Sequence, residues 1–417
     1  MHPSARAHAR FTLRMRLAAL LLLPLQACAF TTMSPTGSVA ARASSQLQGL
    51  PFGIGDKGNS IDKGFNILEV ATTVVPQGRI VGTAKGSLNF VWKRMMTELA
   101  PQDKSGLYQR PKVDFGGVIG SAEHPLERNR YQVYLGNPCP WCHRVQLVIN
   151  VLGLDEDLVG VTNLIDDPIK ASRGGWIFRS KEDSKLNVRD MREMYDKLTG
   201  GSYKGRCTAP ALVDLKSQTI VANESPDILR MLPKLLELRA TTSDDEKSHS
   251  NAQSSSQLTT LVPPELESYI DETNAWVYQL LSNGVYQCGF STTQQAYDAA
   301  SRNVREGLER CEERLSKSPF MCGDTFTESD VMLLPTMLRY DGVYSPLFKA
   351  GGTHISIPNQ FPNIQAWRQR CWREVPGVST STDLADANES YYKQLFPLNP
   401  GGIIPTPVTA KDLGLEP

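Results

Sequence analysis

The sequence predicts two domains, α/β first and all-α second. Three observations carry that reading. Short apolar alternations and amphipathic periods interleave between residues 131 and 231; a polar stretch with few large apolar side chains follows at 240–260; beyond it only helical periods appear. Tyr131, Val133 and Leu135 alternate, which predicts a strand over 131–136 that ends in the turn Gly136-Asn137-Pro138. Val145, Val148, Ile149 and Leu152 then recur at helical spacing up to Gly153. A strand over 158–165, a helix over 188–198, and two short strands at 211–213 and 219–222 come next. Ser225-Pro226-Asp227 predicts a helix start with Ser225 as N-cap and Pro226 as its first residue. Strand-helix-strand, helix, strand-strand-helix is the thioredoxin order. The second domain is read as helices over 266–281, 293–315, 328–340 and 364–375, the third opened by a Thr327-x-x-Asp330 capping box.

The chain of 417 residues has a formal net charge of zero, so nothing favours nucleic acid or an anionic membrane as partner. Arg10, Arg14 and Arg16 precede an apolar run, Leu17 to Leu25, which is too short to span a bilayer and ends at the A-x-A-like site Ala27-Cys28-Ala29. Phe30 follows, then a hydroxyl-rich stretch, and the first acidic residue is Asp56. This pattern is similar to the two-part plastid address of algae with secondary plastids; the alternative is the secretory pathway. The expected organisation is a signal peptide (1–29), a transit-like segment (30–50), an N-terminal extension (51–128) with one helix around 88–99, a thioredoxin-like domain (129–239), a flexible linker (240–260), a helical domain (261–395) and a C-terminal tail (396–417).

Eight cysteines, irregularly spaced except for one C-x-x-C, do not form a disulfide framework in a chain this long. Cys139-Pro140-Trp141-Cys142 sits where a strand hands over to a helix. There the unpaired N–H groups and the dipole favour a thiolate on Cys139. Half a zinc site, a c-type haem attachment at C-x-x-C-H, and a structural cysteine pair are the competing readings. Downstream, Thr208-Ala209-Pro210 precedes a strand, where this fold places a cis-proline, and Glu224-Ser225 opens the next helix. A nucleophilic cysteine, a strand edge and a carboxylate-holding helix start, in that order, make a glutathione site that needs no metal. The plainer alternative is a loop proline and an ordinary N-cap.

With these residues in view, the chain resembles the xi-class glutathione transferases, the glutathionyl-hydroquinone reductases, from about residue 85 to 408. The likeness includes Gly174-Gly175-Trp176, Met191-Arg192-Glu193-Met194-Tyr195, Asn223-Glu224-Ser225, Asn283-Gly284-Val285-Tyr286, Arg339-Tyr340-Asp341-Gly342-Val343-Tyr344 and Asn399-Pro400-Gly401-Gly402. Residues 95–101 with Arg110-Pro111 resemble the plastid-type plant branch. The resemblance implies a helical glutathione-transferase C-terminal domain, a catalytic Cys139, and glutathione held by Trp176, Arg192, Ala209, Pro210, Glu224 and Ser225. It also implies a quinone pocket lined by Tyr344 with Tyr195 contributing, and a homodimer. The family turn ends in Ala where this chain has Cys142, which is read either as a resolving thiol or as a small core residue. The function expected is reduction of glutathionyl-hydroquinones. The alternatives are a dithiol thioltransferase or dehydroascorbate reductase, a conjugating transferase, and a non-catalytic binding protein.

Overall fold

The computed structural model describes residues 77–111, 115–172, 175–240, 260–352 and 355–416. The expected signal and transit-like segments, Gly174 and all but the ends of the linker lie outside them. The chain divides into units Met1–Ile80 and Val81–Pro417, and the sheet and the helical domain both belong to the second.

The first described helix, α1 (Gln77–Leu99), begins earlier than the predicted 88–99. Trp92 donates its indole N–H to the Pro397 carbonyl at 2.9 Å, tying the helix to the C-terminal tail. The chain then runs along the helical domain and reaches the sheet, where the Gly117 amide donates to the Val221 carbonyl at 2.7 Å. The sheet has five strands in the order β3-β2-β1-β4-β5: β1 (Tyr131–Gly136), β2 (Gly160–Asp166), β3 (Trp176–Ile177), β4 (Ala211–Asp214) and β5 (Thr219–Ala222). Only β1 and β2 run parallel, which demands the crossover helix α2 (Pro140–Val151) between them. All six residues of β1 are buried, as expected of a central strand covered on both faces. The sequence reading missed β3, a two-residue edge strand too short to show alternation. Helix α3 (Met191–Leu198) buries Met191, Met194, Tyr195 and Leu198, an i, i+3, i+4, i+7 stripe.

Helix α4 (Ser225–Met231) corrects the predicted cap. Glu224, not Ser225, takes the N-cap position, and its side chain makes no capping bond because it is turned to Arg110. The helical domain comprises α5 (Glu267–Trp276), α6 (Gly284–Phe290), α7 (Gln294–Leu315), α8 (Glu328–Arg339), α9 (Pro362–Glu374) and α10 (Leu384–Gln394). The capping box at α8 is present, and its Asp330 also accepts from the Met321 amide at 2.9 Å and the Trp367 indole at 2.8 Å. Both α5 and α8 continue into wider π turns, Val277–Ser282 and Tyr340–Tyr344, which accounts for the longer helices predicted there. Helices α6 and α10 were not predicted. Helix α2 lies against α8, so the nucleophile's helix is packed between the sheet and the second domain.

Candidate active site

Cys139 is the N-cap of α2, with extended backbone (φ −73°, ψ 118°), and Pro140 starts the helix without an N–H to waste. The Cys142 amide points back at the Cys139 Sγ at 3.4 Å. On its other side the sulfur is 3.7 Å from the Ala209 carbonyl oxygen, and the Ala209–Pro210 bond is cis, as the sequence predicts. Burial raises the Cys139 thiol, but hydrogen bonds from the Cys142 thiol and the Cys142 and Trp141 amides, with the Arg339 charge, outweigh it. The net shift is downward. Cys142 shifts the other way, well above its ordinary value, because it is buried and shares its proton with Cys139. Of the two sulfurs, Cys139 is therefore the one that ionises first.

The turn ahead of the nucleophile is gripped from the helical domain. Arg339, fully buried at the end of α8, donates to the carbonyls of Pro138 (3.1 Å), Asn137 (2.9 Å) and Pro335 (3.2 Å) and to His143 Nδ1 (3.0 Å). A guanidinium only donates, so His143 Nδ1 is the acceptor and its proton sits on Nε2. That Nε2–H meets the Ser381 hydroxyl at 2.7 Å, which passes its own proton to the Val378 carbonyl. Burial and Arg339 push the His143 imidazole well below its usual range, so it stays neutral. Arg339 thus fixes the Asn137-Pro138 turn and places a permanent positive charge behind Cys139.

A cavity of about 190 Å³ opens beside Cys139, lined by Pro138, Pro140, Asp166, Trp176, Tyr286, Ser390, Tyr391, Gln394 and Leu395. Trp176 lies so close over the end of β1 that a Cβ on Gly136 would stand 2.3 Å from its ring, so only glycine fits there. The Tyr391 hydroxyl meets those of Tyr286 (2.6 Å) and Tyr344 (3.0 Å), a chain of three phenols. Burial raises all three. Ser390 donates to Asp166 at 2.8 Å, closing one end of the cavity between α10 and β2.

Of the residues expected at the site, Cys139 and Trp176 meet in this cavity. Tyr344 stands one layer behind, reaching it through Tyr391. Tyr195 is placed elsewhere: it is fully buried on the core stripe of α3 and donates to the Thr208 carbonyl at 2.9 Å. It braces the cis-proline loop from inside and does not contribute to the pocket. Arg192 does not line the cavity either. Its Nε pairs with Asp196 at 2.8 Å, and its Nη1 is buried with no partner. Glu224 accepts from Arg110 Nη2 through both carboxylate oxygens at 3.1 Å. On the adjoining residues of the chain, Ser225 Oγ and Asn223 Oδ1 are buried without partners.

Sequence reading missed Tyr391 and Ser390 with helix α10. The signal was present: Asp383 caps, and Leu384, Ala387, Asn388 and Tyr391 form one buried face. It also gave no role to Arg110, Tyr286 or Arg339. Among the described residues no group of three or more His, Cys, Asp or Glu could hold a metal ion, and no helix is long and apolar enough to cross a membrane.

Residues 138–235 match the glutathione S-transferase N-terminal domain family, and residues 294–370 match the corresponding C-terminal domain family. The chain is 35% identical to glutathione S-transferase omega-like 2 of Schizosaccharomyces pombe, over 72% of this chain and 93% of that protein. It is 30% identical to the glutathionyl-hydroquinone reductase YqjG of Escherichia coli, over 69% of this chain and 82% of that protein. Among solved structures it is similar to the xi glutathione transferase ECM4 of Saccharomyces cerevisiae in complex with glutathione, with a TM-score of 0.62 and 26% identity, covering 73% of this chain and 97% of that one.

Proposed function

Because the chain belongs to the xi class of the glutathione S-transferase family, the class of the glutathionyl-hydroquinone reductases, and is a glutathione-dependent enzyme, we propose that it reduces glutathionyl-hydroquinones to hydroquinones through a Cys139–glutathione disulfide. The observation that carries this reading is a cysteine with a depressed thiol pKa, at a helix N-terminus, opening onto an aromatic-walled cavity. The Cys139 thiolate attacks the glutathionyl sulfur and the carbon–sulfur bond breaks. The ring carbon takes a proton, a role that the Tyr286–Tyr391 hydroxyl pair in the cavity wall can fill. A second glutathione, as thiolate, attacks the mixed disulfide, releasing oxidised glutathione and restoring Cys139. The balance is one adduct and one glutathione in, one hydroquinone and one glutathione disulfide out.

Glutathione binding falls to Trp176, Arg192, Ala209, Pro210, Glu224 and Ser225 in this reading. Trp176 and Ala209 flank the sulfur site, and the buried Ser225 hydroxyl has no protein partner. Homodimer assembly, a plastid destination and membership of the plastid-type branch belong to the same proposal, supported by the sequence patterns alone.

A dithiol thioltransferase is the second reading, favoured by the hydrogen bond from the Cys142 thiol to Cys139. Turnover of a glutathionyl-hydroquinone and of a mixed disulfide by wild type, Cys139→Ala and Cys142→Ala separates the two. The reductase reading expects the first substrate to be reduced, the activity to vanish without Cys139 and to survive without Cys142. Loss of turnover in Cys142→Ala, or reduction of the disulfide alone, would install the dithiol reading.

A further inference from the structure

The segment ahead of the α/β domain places one charged side chain inside the glutathione region. Arg110 is mostly buried and binds both oxygens of Glu224 through a single nitrogen, Nη2. Its Nε and Nη1 have no protein partner among the described residues. Its guanidinium carbon lies 4.2 Å from the centroid of the Trp141 ring, two residues after the nucleophile, a cation–π contact that holds it near the site. Arg144 packs on the same indole at 4.5 Å and is anchored to the Met332 carbonyl at 2.7 Å, so Trp141 itself is held in place.

The γ-glutamyl end of glutathione carries an ammonium and a carboxylate on one carbon. Glu224 complements only the ammonium and would repel the carboxylate. The Ser225 hydroxyl next to Glu224 in the chain can donate to that carboxylate but carries no charge, and Arg110 is the guanidinium already in contact with Glu224. On the residues either side of Glu224 in the chain, the Ser225 hydroxyl and the Asn223 side-chain Oδ1 are buried without a protein partner, polar groups that a ligand would satisfy. Taking from the proposed function the premise that glutathione occupies this site, we infer that Arg110 is a glutathione-binding residue. It receives the α-carboxylate of the γ-glutamyl group while Glu224 receives its ammonium. A zwitterion then lies on a zwitterionic pair, and the extension ahead of the domain becomes part of the substrate site.

The test is calorimetric binding of glutathione and of γ-aminobutyryl-cysteinyl-glycine, which lacks only the α-carboxylate, to the full chain and to Arg110→Gln and Arg110→Lys. A hydrogen-bonded charge contact of this kind is expected to change the dissociation constant about ten- to hundredfold. Wild type should bind the analogue more weakly than glutathione by that factor. Arg110→Gln should lose the factor for glutathione and nothing further for the analogue, and Arg110→Lys should fall between. Equal weakening of both ligands by Arg110→Gln means a purely structural role and overturns the inference, as does unchanged glutathione affinity. Wild type that binds neither ligand would instead overturn the glutathione reading itself, and this inference with it.

Discussion

Replacing Cys142 by alanine isolates one contribution to the nucleophile. The Cys142 thiol donates to Cys139, while the Cys142 amide, 3.4 Å from the same sulfur, survives the change. A hydrogen bond to a charged group is worth about 1.5–3 kcal/mol, and a thiol is a weak donor. About 1–2 kcal/mol of thiolate stabilisation should therefore disappear, a five- to thirtyfold change in the thiolate-to-thiol ratio. The fold should persist, because alanine leaves only a small void at a site 1% exposed. The assay is the pH dependence of iodoacetamide alkylation, with Cys139→Ala as background; the other described cysteines are all buried. Cys139 should inflect below the ordinary thiol value of 9 in wild type and at higher pH in Cys142→Ala. Below both inflections the variant's rate should fall about five- to thirtyfold, and above them the two rates should converge. The sign carries over to stability. A thiol with a depressed folded-state pKa stabilises the fold fully above its unfolded value, and that contribution fades as pH drops through the folded value. Coincident alkylation profiles would overturn this account and assign the thiolate to the amides and Arg339 alone.

Gly136→Ala should drive the Trp176 ring from its seat, since the new Cβ would lie 2.3 Å from it. Overpacking of this kind costs about 1–3 kcal/mol, read as a rise in the KM for glutathione with Cys139 alkylation unchanged. Tyr391→Phe removes the hydroxyl that joins Tyr286 to Tyr344. Steady-state kinetics should show kcat on a glutathionyl-hydroquinone falling about 100-fold, while disulfide reduction, which protonates no carbon, is unaffected. Asp330→Ala strands the Thr327 and Met321 amides and the Trp367 indole N–H in the core. The urea midpoint should report a loss of at least about 3 kcal/mol, with the Cys139 inflection unchanged.

Elements whose signals are local were legible in the sequence alone. The strand-turn-helix that presents Cys139 and the box at Thr327–Asp330 follow from residue types at short spacings, because backbone donors and caps are satisfied within a few residues; the cis bond at Pro210 follows from its place in the thioredoxin order. The helical stripe of α3 was equally local, and it places Tyr195 in the core rather than in the pocket. Which distant groups meet the sulfur was set by tertiary packing. Arg339 lies about two hundred residues beyond the turn it grips, Tyr391 reaches Tyr286 from a different helix, and Arg110 arrives from outside the domain to claim Glu224 from its cap. Each is a buried polar group that must find a partner. No local period encodes that pairing, because it depends on how the helical domain and the preceding segment pack against the sheet.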